Sequence, residues 1–542
     1  MDGDAELRDR HVEAVDRLEQ APLHRLIGLE QRIRQTICPP GNRRHPTIVS
    51  ELESISDSNT IEDALQYVRQ LILSGHPRCA ESRRRGVAVM TLDDEITAAG
   101  GPLGLLRSGR SGAFPFPIRS EFTNWRDEQE AWRASAALMD LSHHMPDLTL
   151  SGPDVHRLLS DVGANSFRSF GAMKAKQLVA VGADGSMIGD AILFGLGDEH
   201  VRVVGRPPAL NWMQFHAERG GYDVEVRRDE RTVQNPRGRE LYRLQLQGPT
   251  AGPIYEKVNG GPLPDIPFFH MGRLRIGRHE ATALNHRMSG FPGFEFFGPY
   301  EEFESVRDTL LEAGAEFGLR EVGARAYASV ATESGWIANT VPAFYSSPET
   351  RAYRQWQSSR SFDANLQVGG SFVPDRVEDY YVTPWDLGYG HVLKFDHDFI
   401  GREALEARKD EPHRRKAWIR WESGEGARIV ASYEAPGAHR FKYLEMPAAF
   451  YAGAQFDRIE DADGRLIGLA MLTSYTSNVR GWISLGMIDE AEWRIGREVR
   501  LVWGEPHGGS ANPLVERHTQ TAVRATIIDR PFPEGTEGSG NR

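Results

Sequence analysis

Residues 147–162 read DLTLSGPDVHRLLSDV, and the pattern of this stretch decides the fold class. Its first part is typical of a strand, because apolar and polar residues alternate. A helix is predicted to begin near Pro153. A strand followed directly by a helix predicts a mixed α+β fold.

The pattern repeats along the chain and divides it. The stretches 201–205 (VRVVG) and 241–249 (LYRLQLQGP) alternate like strands. The charged run at 404–416 (ALEARKDEPHRRK) is predicted to be a linker. Beyond it, the short runs at 497–503 and 522–528 predict a small β-rich barrel.

One further helix and four segments are predicted. The helix lies in PYEEFESVRDTLLEAG and its continuation, where Phe303, Val306, Leu310 and Phe317 share one stripe. The segments are an extension at 1–89, folate- and substrate-binding domains at 90–405, a barrel at 415–530 and a tail at 531–542. The extension is predicted to be helical or disordered. Met90 opens a stretch that reads like a natural start, so a mis-assigned start codon is an alternative explanation for 1–89.

Composition excludes several classes of protein. The 542 residues carry 64 basic and 76 acidic side chains, a formal charge of −12, which does not favour nucleic acid or anionic membranes. No apolar run reaches the roughly 18 residues of a membrane-spanning helix. Two cysteines, Cys38 and Cys79, are too few for a disulfide framework or an iron–sulfur cluster and favour a cytosolic setting.

Two charged residues stand in unusual surroundings. Glu295 lies between Phe294 and Phe296, where a carboxylate is costly unless it meets hydrogen-bond donors. A salt bridge or a solvated strand face are the alternatives. Arg206 follows an apolar strand, either as a surface cation or as a bidentate clamp for a carboxylate.

No metal site is predicted. His143 and His144 are adjacent, and adjacent side chains point apart on a helix or a strand. The stretch 395–399 (FDHDF) also lacks metal-ligand spacing and is interpreted as a turn.

Taken together, several ordered segments resemble the glycine-cleavage T-protein superfamily of tetrahydrofolate-dependent transferases. Within it, the sequence is most similar to the aryl O-demethylase branch of vanillate/3-O-methylgallate and syringate demethylases. The resemblance covers roughly residues 100–530. The segments that carry it are AALMDLSHHM (136–145), GADGSMIGDAILF (182–194), LQLQGP (244–249), FPGFE (291–295), ARAYASVATESGW (324–336) and GGSFVPDRVEDYYV (369–382).

The resemblance implies a three-domain cloverleaf with a carboxyl-terminal β-barrel and folate in a central channel. It implies that Glu295 binds the pterin, with Trp336 and Gln245 as further cofactor-binding residues. It also implies that Arg206 holds a benzoate carboxylate and that Tyr327 takes part in catalysis. A pair of adjacent acids typical of the aminomethyl branch is reduced here to one, Asp190 after Gly189.

The substrate pocket departs from that of the vanillate enzymes. Phe114, Phe116 and Leu141 stand where those enzymes carry two tyrosines and a glutamine, whereas His144 keeps the family identity. A ring site with fewer hydrogen-bonding groups discriminates less for a free phenol. We therefore expect a syringate-like or chlorinated methoxybenzoate.

The function expected from the resemblance is an O-demethylase that moves a methyl group from a methoxybenzoate to N5 of tetrahydrofolate. An aminomethyltransferase or a dimethylsulfoniopropionate-type demethylase of the same superfamily is one alternative. A folate-binding protein without catalysis is the other.

Overall fold

The computed structural model describes residues 90–109, 117–235, 237–288, 290–437 and 440–532. Its helices are α1 Leu92–Ala98, α2 Pro102–Leu106, α3 Trp125–Ala134, α4 Val155–Val162, α5 Pro207–Arg219, α6 Ala251–Asn259, α7 Phe303–Gly314, α8 Ala324–Ser334, α9 Arg351–Trp356, α10 Arg402–Arg408 and α11 Glu425–Glu434. The predictions for residues 1–89, for Phe114 and Phe116 and for most of the tail lie outside the described residues.

The strands form two sheets, a closed barrel and one short pair. They are β1 Ala136–Asp140, β2 Asp147–Ser151, β3 Ala175–Val181, β4 Met187–Gly197, β5 His200–Gly205, β6 Glu225–Asp229, β7 Leu241–Gln247, β8 Met271–Ile276, β9 His279–Asn285, β10 Gly293–Pro299, β11 Leu319–Val322, β12 Val368–Gly369, β13 Arg415–Trp421, β14 Ala454–Gln455, β15 Asp457–Glu460, β16 Leu466–Thr476, β17 Gly481–Ile488, β18 Glu498–Trp503 and β19 Thr521–Ile528.

The strand order defines three bodies. A six-stranded sheet runs β11-β1-β7-β10-β9-β8, and a five-stranded sheet runs β3-β4-β5-β2-β6. The barrel closes in the order β13-β17-β16-β15-β18-β19. The fold is therefore α+β with a carboxyl-terminal barrel, as the sequence predicts. The predicted limits of the domains remain a prediction.

Alternation in β7 shows how the sequence builds the six-stranded sheet. Tyr242, Leu244 and Leu246 are buried in an apolar core with residues of β1, β9, β10, α6 and α7. The intervening side chains point to the opposite face because successive strand residues alternate. On that face lie two more helices, α3 and α8, which pack with Met139 of β1 in a second core.

Most of the helices and strands predicted from local pattern are present, with two differences. The strand and helix in 147–162 are β2 and α4, although α4 begins at Val155. In α7, Val306 and Leu310 are buried as predicted, but Phe317 falls in a following 3-10 turn.

The linker predicted at 404–416 is shorter in the structure, where only residues 409–414 lie outside helix and strand. Its first residues belong to α10, which ends at Arg408, and its last belong to β13, which begins at Arg415. Charge density was a poor guide here, because a charged helix on a surface has the same composition as a linker. Within the described residues, no helix is long and apolar enough to cross a membrane.

Candidate active site

The second face of the six-stranded sheet carries a row of buried polar side chains. On β7 these are Arg243, Gln245 and Gln247, all of them buried. The register pairs Gln245 with Glu295 of β10 on one side and with Met139 of β1 on the other. Paired residues of neighbouring strands share a face, so Gln245 and Glu295 lie side by side.

Glu295 is buried beside two nitrogen-bearing side chains. It is 6% exposed, so the solvated strand face considered for it is wrong. Arg243 Nε lies 3.1 Å from Glu295 Oε1, and His286 Nδ1 lies 3.8 Å from Oε2. The salt-bridge alternative is therefore realised. The Arg243 contact has an ion-pair distance without hydrogen-bond alignment, because Arg243 Nε has no hydrogen-bond partner among the described residues.

Gln245 is held by its amide nitrogen only. Its Nε2 donates to Gln247 Oε1 at 3.2 Å and to the His286 carbonyl at 3.3 Å. Its Oε1 is buried without a hydrogen-bond partner among the described residues. Buried acceptors without donors are uncommon in native proteins, and they often mark a place where a ligand binds.

Tyr327 and His144 form a pair next to this face. The Tyr327 hydroxyl and His144 Nε2 are 3.1 Å apart, and the rings meet edge to face with centroids 5.2 Å apart. Burial, and then the charge of Arg243, lowers the pKa of His144 to about 3. Burial raises the pKa of Tyr327, while Arg243 lowers it and Glu295 raises it. Tyr327 thus lies within electrostatic range of the Arg243–Glu295 pair.

The two adjacent histidines have different partners. His143 Nε2 lies 3.1 Å from Asp140 Oδ2, and its Nδ1 lies 2.7 Å from the Thr232 hydroxyl. Leu141 is 2% exposed and packs in the same apolar core as Tyr327. Among the described residues, no three histidine, cysteine, aspartate or glutamate side chains are grouped so that they could hold a metal ion.

Arg206 lies in a second cluster, at the start of α5. Its Nη1 donates to the Ala338 carbonyl at 2.7 Å, and its Nη2 lies 3.5 Å from the Gly453 carbonyl. Its guanidinium carbon is 5.2 Å from the centroid of the Phe362 ring. Burial, and then the charge of Arg231, lowers the pKa of Arg206 to about 10. The surface-cation alternative does not fit this burial.

Trp336 belongs to the second cluster through Asp190. Its Nε1 donates to Asp190 Oδ2 at 2.9 Å, and the same oxygen accepts from the Tyr389 hydroxyl at 3.0 Å and from Gln177 Nε2 at 3.1 Å. Burial raises the pKa of Asp190, although these hydrogen bonds oppose the rise. Asp190 also contributes to the electrostatic surroundings of Arg206.

Backbone connections relate the two clusters. The register pairs Asp147 of β2 with Val204 of β5, so Arg206 follows β5 at the end of the sheet where His144 precedes β2. Helix α8 carries Tyr327, and Trp336 follows its last residue by two positions. Tyr327 lies seven residues before the last residue of α8, which corresponds to about 10 Å along the helix axis.

The contacts therefore unite some predicted site residues and separate others. Glu295, Gln245, Tyr327, His144 and Leu141 lie in one cluster, and Arg206 and Trp336 lie in the other. Arg243 was not predicted as a site residue from the sequence. Its position in the alternating LYRLQLQ pattern, in phase with two glutamines, is the signal that indicates a polar face.

Comparisons with known proteins agree with this architecture. The GCVT N-terminal domain matches residues 101–340. Syringate O-demethylase of Sphingobium sp. is 41% identical over 444 residues, which are 82% of this chain and 96% of that protein. Sesamin methylene transferase of Sinomonas sp. is 28% identical and covers 73% of this chain and 89% of its own.

A solved structure gives the same fold at lower identity. The glycine cleavage system aminomethyltransferase T from Bartonella henselae aligns with a TM-score of 0.52 and 17% identity, covering 79% of this chain and 95% of its own. The chain belongs to the glycine-cleavage T-protein superfamily, in its aryl O-demethylase branch. It is an enzyme of the methyltransferase type.

Proposed function

We propose that this enzyme transfers the methyl group of a methoxybenzoate to N5 of tetrahydrofolate. The observation that carries the proposal is the buried carboxylate of Glu295 beside the Oε1 of Gln245, which has no hydrogen-bond partner among the described residues. The similarity to syringate O-demethylase supports the class of methyl donor.

The Glu295 site suits a pterin. The 2-amino-4-oxo edge of a pterin offers two adjacent N–H donors, and a carboxylate can accept both. A carboxylate offers about four lone-pair positions, so the Arg243 contact leaves acceptor capacity. Each charge-assisted hydrogen bond contributes about 1.5–3 kcal/mol.

The Arg206 site suits an aromatic acid. A guanidinium has five N–H donors, and the two carbonyl contacts of Arg206 leave others for a carboxylate. The end of β5 brings Arg206 to the same side of the five-stranded sheet as the segment that carries His144. A substrate whose carboxylate binds Arg206 would thus point its aromatic ring toward His144 and Tyr327.

Tyr327 provides the chemistry that the departing oxygen needs. An aryl methyl ether is inert because a phenolate must leave, and a phenol O–H can stabilise it by a hydrogen bond. The ether C–O bond breaks with its electron pair left on oxygen, and a C–N bond forms. The proton that N5 loses balances the proton that the phenol oxygen gains. Bound tetrahydrofolate supplies the nucleophilic nitrogen, and the protein supplies alignment and a dry site.

The ring of the substrate is proposed to be syringate-like or chlorinated. Leu141 is buried among apolar side chains, which supports an apolar wall at the position of the missing glutamine. Phe114 and Phe116, which lie outside the described residues, are proposed to bind the substrate. His144 is proposed to contact the substrate beside Tyr327.

The experiment is incubation with tetrahydrofolate and methoxybenzoates labelled with ¹³C in the methyl group, followed by mass detection of folate. Labelled 5-methyltetrahydrofolate is expected, without methanol, formaldehyde or oxygen uptake. Transfer from dimethylsulfoniopropionate or from glycine-derived aminomethyl groups instead would contradict the proposal and favour the other enzymes of the superfamily. Folate binding without transfer from any donor would indicate a non-catalytic binding protein.

A further inference from the structure

Arg243 is a buried cation to which the proposed reaction assigns no role. Its side chain is 4% exposed and lies on the polar face of β7. Burying a guanidinium costs several kcal/mol unless anions and hydrogen bonds compensate. If this position served packing alone, an apolar side chain of similar size would fill it at a lower cost in free energy.

The guanidinium lies between carboxylates of two different sheets. Its Nε is 3.1 Å from Glu295 Oε1 on β10, and its Nη1 is 3.9 Å from Asp147 Oδ1 on β2. Asp147 also accepts a hydrogen bond from Arg239, which pairs with Asp229 at 3.4 Å. Arg239 therefore supports the junction of the sheets without touching Glu295.

The backbone of Arg243 is fixed to the segment that leads to His144. Its carbonyl accepts from the Leu141 N–H at 2.9 Å and from the Ser142 hydroxyl at 3.2 Å, and its own N–H donates to the Ser142 oxygen at 3.0 Å. These bonds set the position of the cation relative to the Tyr327–His144 pair. After burial, the charge of Arg243 has the largest effect on the pKa of His144 and on the pKa of Tyr327.

We propose that Arg243 is a positioning residue for methyl transfer, acting on both substrates. Its ion pair aims the Glu295 carboxylate at the pterin, and its fixed positive charge beside Tyr327 stabilises the phenolate as negative charge develops. A preorganised charge in a buried site acts more strongly than one in water. This inference rests on the proposed function and names a residue that the function does not require by itself.

The test measures how the rate depends on the leaving group. Wild type, Arg243→Gln and Arg243→Lys are assayed with methoxybenzoates whose ring halogens vary the pKa of the product phenol. We expect Arg243→Gln to lower kcat by about 10²–10³-fold. The kcat of this variant should also depend more steeply on the phenol pKa than that of wild type. In Arg243→Lys, which keeps the charge, this dependence of kcat on the phenol pKa (the leaving-group slope) should return part of the way to that of wild type.

A second readout concerns folate. Binding of 5-methyltetrahydrofolate is titrated for Glu295→Gln, Arg243→Gln and the double variant. Because Arg243 acts through Glu295, the two losses should be strongly non-additive. The control Arg239→Lys alters the junction of the sheets and should leave the leaving-group slope unchanged.

Two results would overturn the inference: a leaving-group slope in Arg243→Gln equal to that of wild type, or additive losses in folate binding. If Arg243→Gln does not fold, Arg243→Met, which also removes the charge, is assayed in its place, and the same two results would overturn the inference. Failure of the proposed function is distinguishable, because wild type itself would then form no 5-methyltetrahydrofolate.

Discussion

At the scale of single residues, the chemistry depends on charges held out of water. Glu295 and Arg243 are buried, and Arg206 is partly buried. A buried charge is strongly destabilising when its partner is removed, so each of these residues is expected to have a role beyond packing.

Tyr327→Phe removes the proposed hydrogen bond to the departing oxygen. We expect turnover to fall by about 10²–10⁴-fold, the usual contribution of a positioned acid, while folate binding is retained. Labelled methyl transfer and folate titration measure the two effects. The matched control is Tyr242→Phe on the opposite face of the same sheet, whose hydroxyl has no hydrogen-bond partner among the described residues. Unchanged turnover in Tyr327→Phe would remove its catalytic role.

Arg206→Gln removes the proposed partner of the substrate carboxylate. Loss of a charge-assisted pair of about 1.5–3 kcal/mol should raise KM for methoxybenzoates by roughly 10–150-fold. A neutral methoxybenzamide with the same ring serves as the control, because it has no carboxylate to lose. Equal effects on the acid and the amide would show that Arg206 does not bind the carboxylate.

His144 contributes to the pH dependence of stability, together with His216 and His286, whose pKa values burial also lowers. Its pKa is lowered to about 3 by burial and by Arg243, whereas an unfolded histidine titrates near 6.5. The unfolded state therefore binds more protons between these values, and stability falls as pH falls below about 6.5, by at most about 1.4 kcal/mol per pH unit from this residue.

Denaturant unfolding at pH 7, 6 and 5 measures this effect. His144→Gln should show a shallower loss of stability than wild type, whereas a variant at the exposed His391 should follow wild type. If His144→Gln and wild type lose stability in parallel, His144 is not the titrating group.

At the scale of elements, one acid connects α3 with the start of α8. The Glu128 carboxylate is fully buried and accepts from the N–H groups of Phe122 and Thr123 at 2.7 Å and of Gly323 at 2.9 Å. Gly323 is the residue before α8, the helix that carries Tyr327. The placement of Tyr327 thus depends on a residue far from the site.

Glu128→Gln should destabilise the protein by about 1–3 kcal/mol, because a buried N–H donor loses its acceptor. Thermal unfolding should show a lower Tm, and kcat should fall with little change in the affinity for folate. Glu130→Gln, at an exposed position of the same helix, is the control. A Tm equal to wild type would contradict this account of how α8 is held.

Local pattern predicted individual elements better than their pairing. The alternation in 241–249 identified β7, and the stripe containing Val306 and Leu310 identified α7. The contact between Arg243 and Glu295 joins residues 52 positions apart and depends on the pairing of β7 with β10. Periodicity within a segment carries no information on which strand will lie beside it.

At the scale of the whole molecule, the resemblance predicted the fold and the chemistry, and the residues alone left alternatives open. Nothing in the local sequence distinguished a pterin-binding Glu295 from a salt bridge, and the structure contains the ion pair. Trp336 binds Asp190 rather than lying beside Glu295, because Trp336, Tyr389 and Gln177, which are distant in sequence, converge on that carboxylate, and its charge also acts on Arg206.

Deletion of residues 1–89 is expected to leave demethylation intact. The family match begins at residue 101, and syringate O-demethylase is covered over 96% of its length by 82% of this chain. The measurement compares kcat and KM of the shortened protein, beginning at Met90, with those of the full chain. A loss of turnover in a shortened protein with unchanged Tm would assign a role to the extension.

The most direct test of the central claim is a crystal structure of the full chain with tetrahydrofolate and a hydroxybenzoate product. The account predicts the pterin edge on Glu295, the carboxylate on Arg206 and the phenol oxygen within hydrogen-bond distance of the Tyr327 hydroxyl. A structure in which Glu295 and Arg206 face separate cavities, with no path between the two ligands, would contradict it.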